Sequence, residues 1–210
     1  IGAGDDFANA LALQPDGKIV IAGACNNVGY DFCVARLNAD GTLDATFDGP
    51  LGNGNGAFLL PIGSSAYQLN AVALQSDGKI VLAGHCSVLS GTAFCVARLH
   101  PDGSLDTSFD GPSGAGNGRF VLPLIGTTNG TASALLIQPD GKIVLAGRCS
   151  NGGNDDFCMA RLNSDGALDV TFDGPTGFGN GKFLLTIGPY HDAARAALLQ
   201  PDGRIVVAGF

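Results

Sequence analysis

The heptapeptide "QPDGKIV" at residues 14–20 returns as "QSDGKIV" at 75–81, "QPDGKIV" at 138–144 and "QPDGRIV" at 200–206. Successive copies start 61, 63 and 62 residues apart. Self-similarity at a fixed period marks tandem supersecondary units, each too small to bury its apolar face alone. Outward from these anchors a second motif aligns: "DFCVARLNADGTLDATFDGP" (31–50), "AFCVARLHPDGSLDTSFDGP" (93–112) and "DFCMARLNSDGALDVTFDGP" (156–175). Units then run 1–61, 62–124 and 125–186, with a partial unit at 187–210.

Each full unit reads as four strands. In the first, "ANALALQ" (8–14) is followed by Pro15-Asp16-Gly17, a tight-turn signal with Pro fixing φ and Gly taking a positive one. "KIVIAGAC" (18–25) is apolar on both faces, as a strand buried between layers must be. "DFCVARL" (31–37) alternates, Phe32, Val34 and Arg36 against Cys33, Ala35 and Leu37. A long polar connection leads to "AFLLPI" (57–62). Four antiparallel strands per ~60 residues, repeated in tandem, most economically form blades of a β-propeller. The expected fold is therefore all-β and propeller-type, three blades plus half a blade in an incomplete ring.

The quoted motifs in their fixed order resemble the delta-60 repeats of secreted or surface-exposed bacterial proteins, which are assigned as β-propeller-like. The resemblance runs through all three full units and the partial fourth. It implies fold and compartment, and it implies no particular reaction. The delta-60 motif does not require cysteine at positions 25 and 33, so the cysteines are read on their own.

Composition agrees with a turn-dense β protein. Of 210 residues 33 are Gly, none is Trp, and all 19 acidic residues are Asp. A net charge of −8 argues against a nucleic-acid surface, which needs clustered Lys and Arg, and against docking on anionic lipid. No apolar run approaches the ~20 residues of a membrane helix, so no membrane span is expected. The chain opens at Ile1 with no signal-like segment, as a mature form or a fragment would.

Six cysteines fall into three pairs, Cys25/Cys33, Cys86/Cys95 and Cys149/Cys158, at the end of the second strand and the start of the third. On an antiparallel hairpin such positions can lie opposite each other, close enough to bridge. Closing so short a loop stabilises by about 2.5 kcal/mol on the chain-entropy model. Zinc is a lesser reading, because structural sites favour two to four residues between ligands and here there are seven or eight, and free buried thiols are another, which would not explain why cysteines come in twos at facing positions in every unit. Disulfides would place the protein in an oxidising compartment, extracellular or at the cell surface, each stapling an outer hairpin.

Aspartates recur in phase at Asp40, Asp44 and Asp48, Asp102, Asp106 and Asp110, and Asp165, Asp169 and Asp173. Turn and capping roles account for them; a calcium loop is the lesser reading, lacking the full spacing and the terminal Glu. No cofactor is implied otherwise. Arg36, Arg98 and Arg161 repeat in the third strand and read as structural ion pairs to Asp44, Asp106 and Asp169, bracing the long connection; an anion-binding ring is the rival. "GNGNG" (52–56) opens a strand and not a helix, so it reads as a turn. His85, His100 and His191 occupy non-equivalent positions and read as surface residues. "NGT" at Asn129 is a glycosylation sequon.

Three and a half blades leave unfinished sheet edges, which natural proteins cover. The expected partners are further blades of the same chain, or other copies associating head to tail. The role expected from near-identical repeats is a structural or adhesive scaffold, forming a filament when copies join, and not an enzyme. A glycan- or peptide-binding module would instead show exposed aromatics at one end of the axis, with Tyr30, Tyr67, Tyr190 and Phe178 as candidates. A hydrolase would pool its residues from several blades.

Overall fold

The computed structural model describes every residue except 2, 27–28, 51, 53–54, 63–66, 113, 115–116, 124 and 177–179. Three four-stranded antiparallel sheets follow one another along the chain. The first holds β1 (Asp6–Leu13), β2 (Ile19–Asn26), β3 (Tyr30–Leu37) and β4 (Ala57–Leu60) in that order. The second holds β5 (Tyr67–Leu74), β6 (Ile80–Val88), β7 (Gly91–Leu99) and β8 (Arg119–Val121), and the third β9 (Gly130–Ile137), β10 (Ile143–Ser150), β11 (Asp155–Leu162) and β12 (Lys182–Leu185). A two-stranded sheet, β13 (Ala194–Leu199) with β14 (Ile205–Gly209), completes the described elements. The opening strands β1, β5, β9 and β13 pack against one another in succession, so they line the centre and the fourth strands lie outermost. The cysteine-bearing hairpins are consequently the middle of each sheet, not its outer edge.

Local chemistry accounts for the first hairpin. Gly17 N–H donates to the Gln14 carbonyl at 2.9 Å and Gln14 N–H to the Lys18 carbonyl at 2.8 Å. Gly17 closes the turn at φ +84°, a conformation that costs a side-chain-bearing residue free energy. The same two bonds recur at Gln75, Gln138 and Gln200.

Plain alternation, expected over 8–14, fails at one place. Pairing of β1 with β2 skips from Ala8 to Ala10, leaving Asn9 as a bulge. Equivalent skips leave out Asn70, Ser133 and Arg195. Opposite each bulge stands a glycine of the second strand. A Cβ on Gly84 would lie 1.9 Å from the Gln68 carbonyl oxygen, and one on Gly147 1.9 Å from that of Thr131. Close backbone approach thus explains the recurring "AG", and the bulge turns one side chain per repeat out of the ladder.

The core lies between sheets. Val20, Ala22, Phe32 and Leu60 of the first sheet meet Leu69, Ile80, Leu82 and Leu99 of the second. Val81, Val96 and Phe120 meet Ile143, Leu145 and Leu162 in the same way, and a smaller cluster joins the third sheet to β13 and β14. Fully burying a side chain such as Leu or Phe is worth about 1.5–3 kcal/mol, so each sheet depends on its neighbour. Where a neighbour is lacking, apolar groups stay out: Leu11 and Leu13 of β1 are exposed, whereas Val72 and Leu74 of β5 pack on the first sheet.

Candidate functional site

Two side-chain constellations stand out, and their relation to the repeat differs. The first is repeated in every full unit. Arg36 Nε donates to Asp44 Oδ2 at 2.8 Å, Arg98 to Asp106 at 2.7 Å and Arg161 to Asp169 at 2.7 Å. Each guanidinium also lies 4.4–4.6 Å from the centre of a phenylalanine ring, that of Phe47, Phe109 or Phe172. Lys18, Lys79 and Lys142 approach the same three carboxylates. Burial pushes the Asp106 pKa up, but hydrogen bonds from Ser108 and the Arg98 charge outweigh it and bring the group down to about 2. The same opposition, with Thr46, Lys18 and Arg36 on one side and Thr171, Lys142 and Arg161 on the other, holds Asp44 and Asp169 well below the usual carboxylate range.

These arginines reach beyond their own sheet. Arg36 donates through its Nη1 to the carbonyl of Pro101, and Arg98 to that of Ser164, one repeat onward. Backbone bonds run alongside, from Asp48 N–H to the Asp102 carbonyl and from Asp110 N–H to the Asp165 carbonyl, each at 2.9 Å. The arrangement is a latch between successive sheets. Both Asp44 oxygens already accept from Thr46, Arg36 or Lys18, and Asp40 Oδ1 accepts from Thr42. Among the described residues no three His, Cys, Asp or Glu side chains gather to hold a metal.

The structure joins Cys25 to Cys33, Cys86 to Cys95 and Cys149 to Cys158, with Cα–Cα separations of 5.7, 5.8 and 5.6 Å. The partners are not directly opposite as expected. Cys25 faces Asp31 and Cys33 faces Gly23, so each bridge runs diagonally across its strand pair. Cys86 and Cys95 lie inside the core shared with the preceding sheet. Three disulfides without a free cysteine indicate an extracellular protein, and no helix is long and apolar enough to cross a membrane.

The second constellation is not repeated. At the end of the central strands where each second strand finishes, a cleft of about 670 Å³ opens between the sheets. The bulge residues Asn9, Asn70, Ser133 and Arg195 line it together with His85 and Arg148, each of the last two following a strand glycine. Asn9 Nδ2 donates to the Leu69 carbonyl and Asn70 Nδ2 to that of Ala132, both at 2.8 Å, tying one bulge to the next. Arg148 is half exposed and pairs with Asp155 at 2.9 Å. The Arg195 guanidinium sits 5.0 Å from the Phe210 ring and forms no ion pair among the described residues. Burial first, then the Arg148 charge, lowers the His85 pKa, so its imidazole is neutral at pH 7; its Nδ1 is buried with no hydrogen-bond partner.

His85 is therefore a half-buried cleft residue, not the surface residue expected. His191 is exposed, its Nδ1 accepting from the Asp155 amide at 3.1 Å, and His100 stands 3.7 Å from Asp106. Asn129 of the sequon lines the cleft and accepts from the Thr92 amide. Of the aromatic candidates, Tyr30 and Tyr190 are exposed at this end; Phe178 and the Tyr67 side chain lie outside the described residues. Asn70, Arg148 and Arg195 were missed because one repeat shows them as ordinary polar positions. A column-by-column comparison would have pointed to them: Arg195 stands where the other repeats have Asn9, Asn70 and Ser133, and His85 and Arg148, each after an invariant glycine, stand where the others have Ala24 and Phe210. The opposite end also has a cleft, about 680 Å³, but the repeated turn residues Gln14, Gln75 and Gln138 line it.

Three segments, 14–47, 75–109 and 138–172, match a family described as a domain of unknown function (DUF5122) beta-propeller. The chain is made of β-propeller repeats. No curated protein matches its sequence. Among solved structures the propeller repeats are similar to an endo-arabinase from Bacteroides thetaiotaomicron VPI-5482, at 10% identity and TM-score 0.49, over 99% of this chain and 71% of that one. They are also similar to an endo-1,4-beta-xylanase from the same organism, at 14% identity and TM-score 0.48, over 97% and 65%. A mannose phosphorylase from Leishmania mexicana is a third, at 12% identity and TM-score 0.47, over 95% and 61%. The chain thus spans 61–71% of the length of these neighbours. The expectation that the protein is not an enzyme is corrected by them: propeller neighbours are enzymes, and a repeated blade is no ground for excluding catalysis. At such identities the likeness shows the fold alone and assigns no reaction.

Proposed function

We propose that this chain is an extracellular ligand-binding propeller module whose ligand, a saccharide, seats in the axial cleft. One observation carries the reading: the bulge side chains Asn9, Asn70, Ser133 and Arg195 of four successive sheets converge with His85 and Arg148 on one polar cleft. A scaffold of equal blades gives no reason for two arginines and a histidine to gather at one end of the axis. The lining suits a polyhydroxylated ligand. Amide oxygens of Asn9 and Asn70 and hydroxyls of Thr131 and Ser133 offer acceptors and donors, and outside the lining Phe7, Tyr30, Tyr190 and Phe210 are exposed at the same end, where a longer ligand would pass. The resemblance to the secreted delta-60 repeats supports the compartment.

The test is electrophoresis of the native chain through gels containing single polysaccharides, neutral and acidic. At least one polysaccharide retards the chain, and the double substitution His85→Ala/Asn70→Ala abolishes the retardation while the chain still unfolds in one cooperative melt. Retardation by none, or retardation indifferent to these substitutions, rejects the reading; binding of an extended peptide instead would reassign the cleft to peptides.

A second reading concerns the outer faces. The exposure of Leu11 and Leu13, whose equivalents Val72 and Leu74 pack on a preceding blade, supports a further blade of the same repeat seating there, supplied by a second copy.

A further inference from the structure

The cleft's charge runs against that of the molecule. The chain carries −8 overall, with 19 aspartates against 11 basic residues, yet the cleft lining holds Arg148 and Arg195, beside a neutral His85, against one carboxylate, Asp155. The latch arginines are buried on carboxylates; these two are not. Arg148 keeps half its surface exposed while bonded to Asp155 through one nitrogen, and a guanidinium has further donors in the same plane. Arg195 rests on the Phe210 ring, which orients it without neutralising it. Neither contributes to a blade core, and Ser133 shows that a small residue satisfies the bulge. One guanidinium without a carboxylate, Arg195, and one with donors to spare, Arg148, have a use in an otherwise acidic protein when an anion is to be bound, because planar forks match a carboxylate.

On the reading that the axial cleft takes a saccharide, we propose that the saccharide is acidic, a uronic-acid-bearing glycan whose carboxylate is held by Arg148 and Arg195 while His85 and the amides of Asn9 and Asn70 meet its hydroxyls. Arg148 moves between Asp155 and the ligand or serves both, and Asp155 limits the number of carboxylates the site accepts.

Calorimetric titration with oligogalacturonate, oligoglucuronate and oligomannuronate, beside the methyl ester of whichever binds and the neutral oligomers of xylose and arabinose, tests this. At least one uronate oligomer binds, its methyl ester binds at least about tenfold more weakly, and Arg195→Ala and Arg148→Ala each weaken it by about tenfold or more. Arg195→Lys restores part of the loss, and added salt weakens binding. Arg204→Ala, in an exposed turn at the opposite end of the axis, has no effect. Equal binding of the ester, or cleft-dependent binding of neutral oligomers only, overturns the acidic ligand and leaves the saccharide site standing. Failure of every uronate oligomer also overturns it, and failure of every saccharide removes both readings.

Discussion

Removing the latch arginines one at a time should destabilise the protein unequally, and the inequality can be worked out from their partners. Arg98 and Asp106 are 5% and 2% exposed, so Arg98→Ala strands a buried carboxylate. Breaking a buried pair by deleting one partner costs about 3–5 kcal/mol. Lys79, 3.4 Å from Asp106, remains to offset part of it, which puts the loss near 3 kcal/mol. Arg36→Ala should match it, since Arg36 has the same contacts, including the cross-blade carbonyl. Arg161 has no such carbonyl; its Nη1 reaches only Gln138 Oε1 at 3.5 Å, and the side chain is 16% exposed. A charged hydrogen bond is worth about 1.5–3 kcal/mol, so Arg161→Ala should cost about half as much as the other two. Urea unfolding with disulfides intact reads this as a midpoint shift at constant slope. The double substitution Arg98→Ala/Asp106→Asn should recover part of the loss, because it no longer buries an unpaired charge. Equal losses for all three arginines would refute the claim that the bond between blades contributes, and a double variant no better than the single would refute the stranded charge.

Acid should weaken the same latch. The folded-state pKa values of Asp44, Asp106 and Asp169 are depressed, so their contribution is complete above the ordinary carboxylate value near 4 and is lost as pH falls through the folded values, about 2 for Asp106. The urea midpoint should be flat from pH 5 to 7 and fall steeply between about pH 4 and 2; a midpoint unchanged at the acid end would contradict the hydrogen-bond account. Light scattering should give a mass above the 21.1 kDa of one chain that rises with concentration and returns to it in Leu11→Asp/Leu13→Asp. A native chain that stays at 21.1 kDa throughout would mean no copy seats on β1.

The parts of the fold legible in the sequence are those whose physics is local and repeated. Pro15-Asp16-Gly17 declares a turn because only glycine takes φ +84° cheaply, and the Asp-Gly pair in four copies fixes the period. Arg36 and Asp44 are eight residues apart across one connection, so their pairing follows from the strand-and-loop reading. What lay beyond reach depends on a partner from elsewhere in the chain. The Pro101 carbonyl that Arg36 grips is 65 residues away and carries no side-chain signature. The diagonal run of the disulfides follows from a register in which Cys33 faces Gly23, and a hairpin loop of unknown length leaves that register open. The bulge at Asn9 was illegible for a similar reason: the glycine that permits it sits on the neighbouring strand, 14 residues onward.

The cleft was hidden by the regularity that revealed the blades. A column buried between blades meets the same surroundings in every repeat, so one residue is best each time, as with the three phenylalanines at 47, 109 and 172. A column at the axis is different, because its four copies converge on one space. Four arginines there would repel, and four phenylalanines would not fit, so some divergence is required by packing alone. That requirement is met by small neutral residues, as Ser133 meets it. It does not call for two arginines and a histidine whose Nδ1 is buried without a partner. The unpartnered His85 nitrogen costs stability where it stands, while Asp155 and the Phe210 ring merely orient the two arginines toward the cleft. A histidine and two arginines that no blade core needs, gathered at one end of the axis, are what a bound ligand would explain.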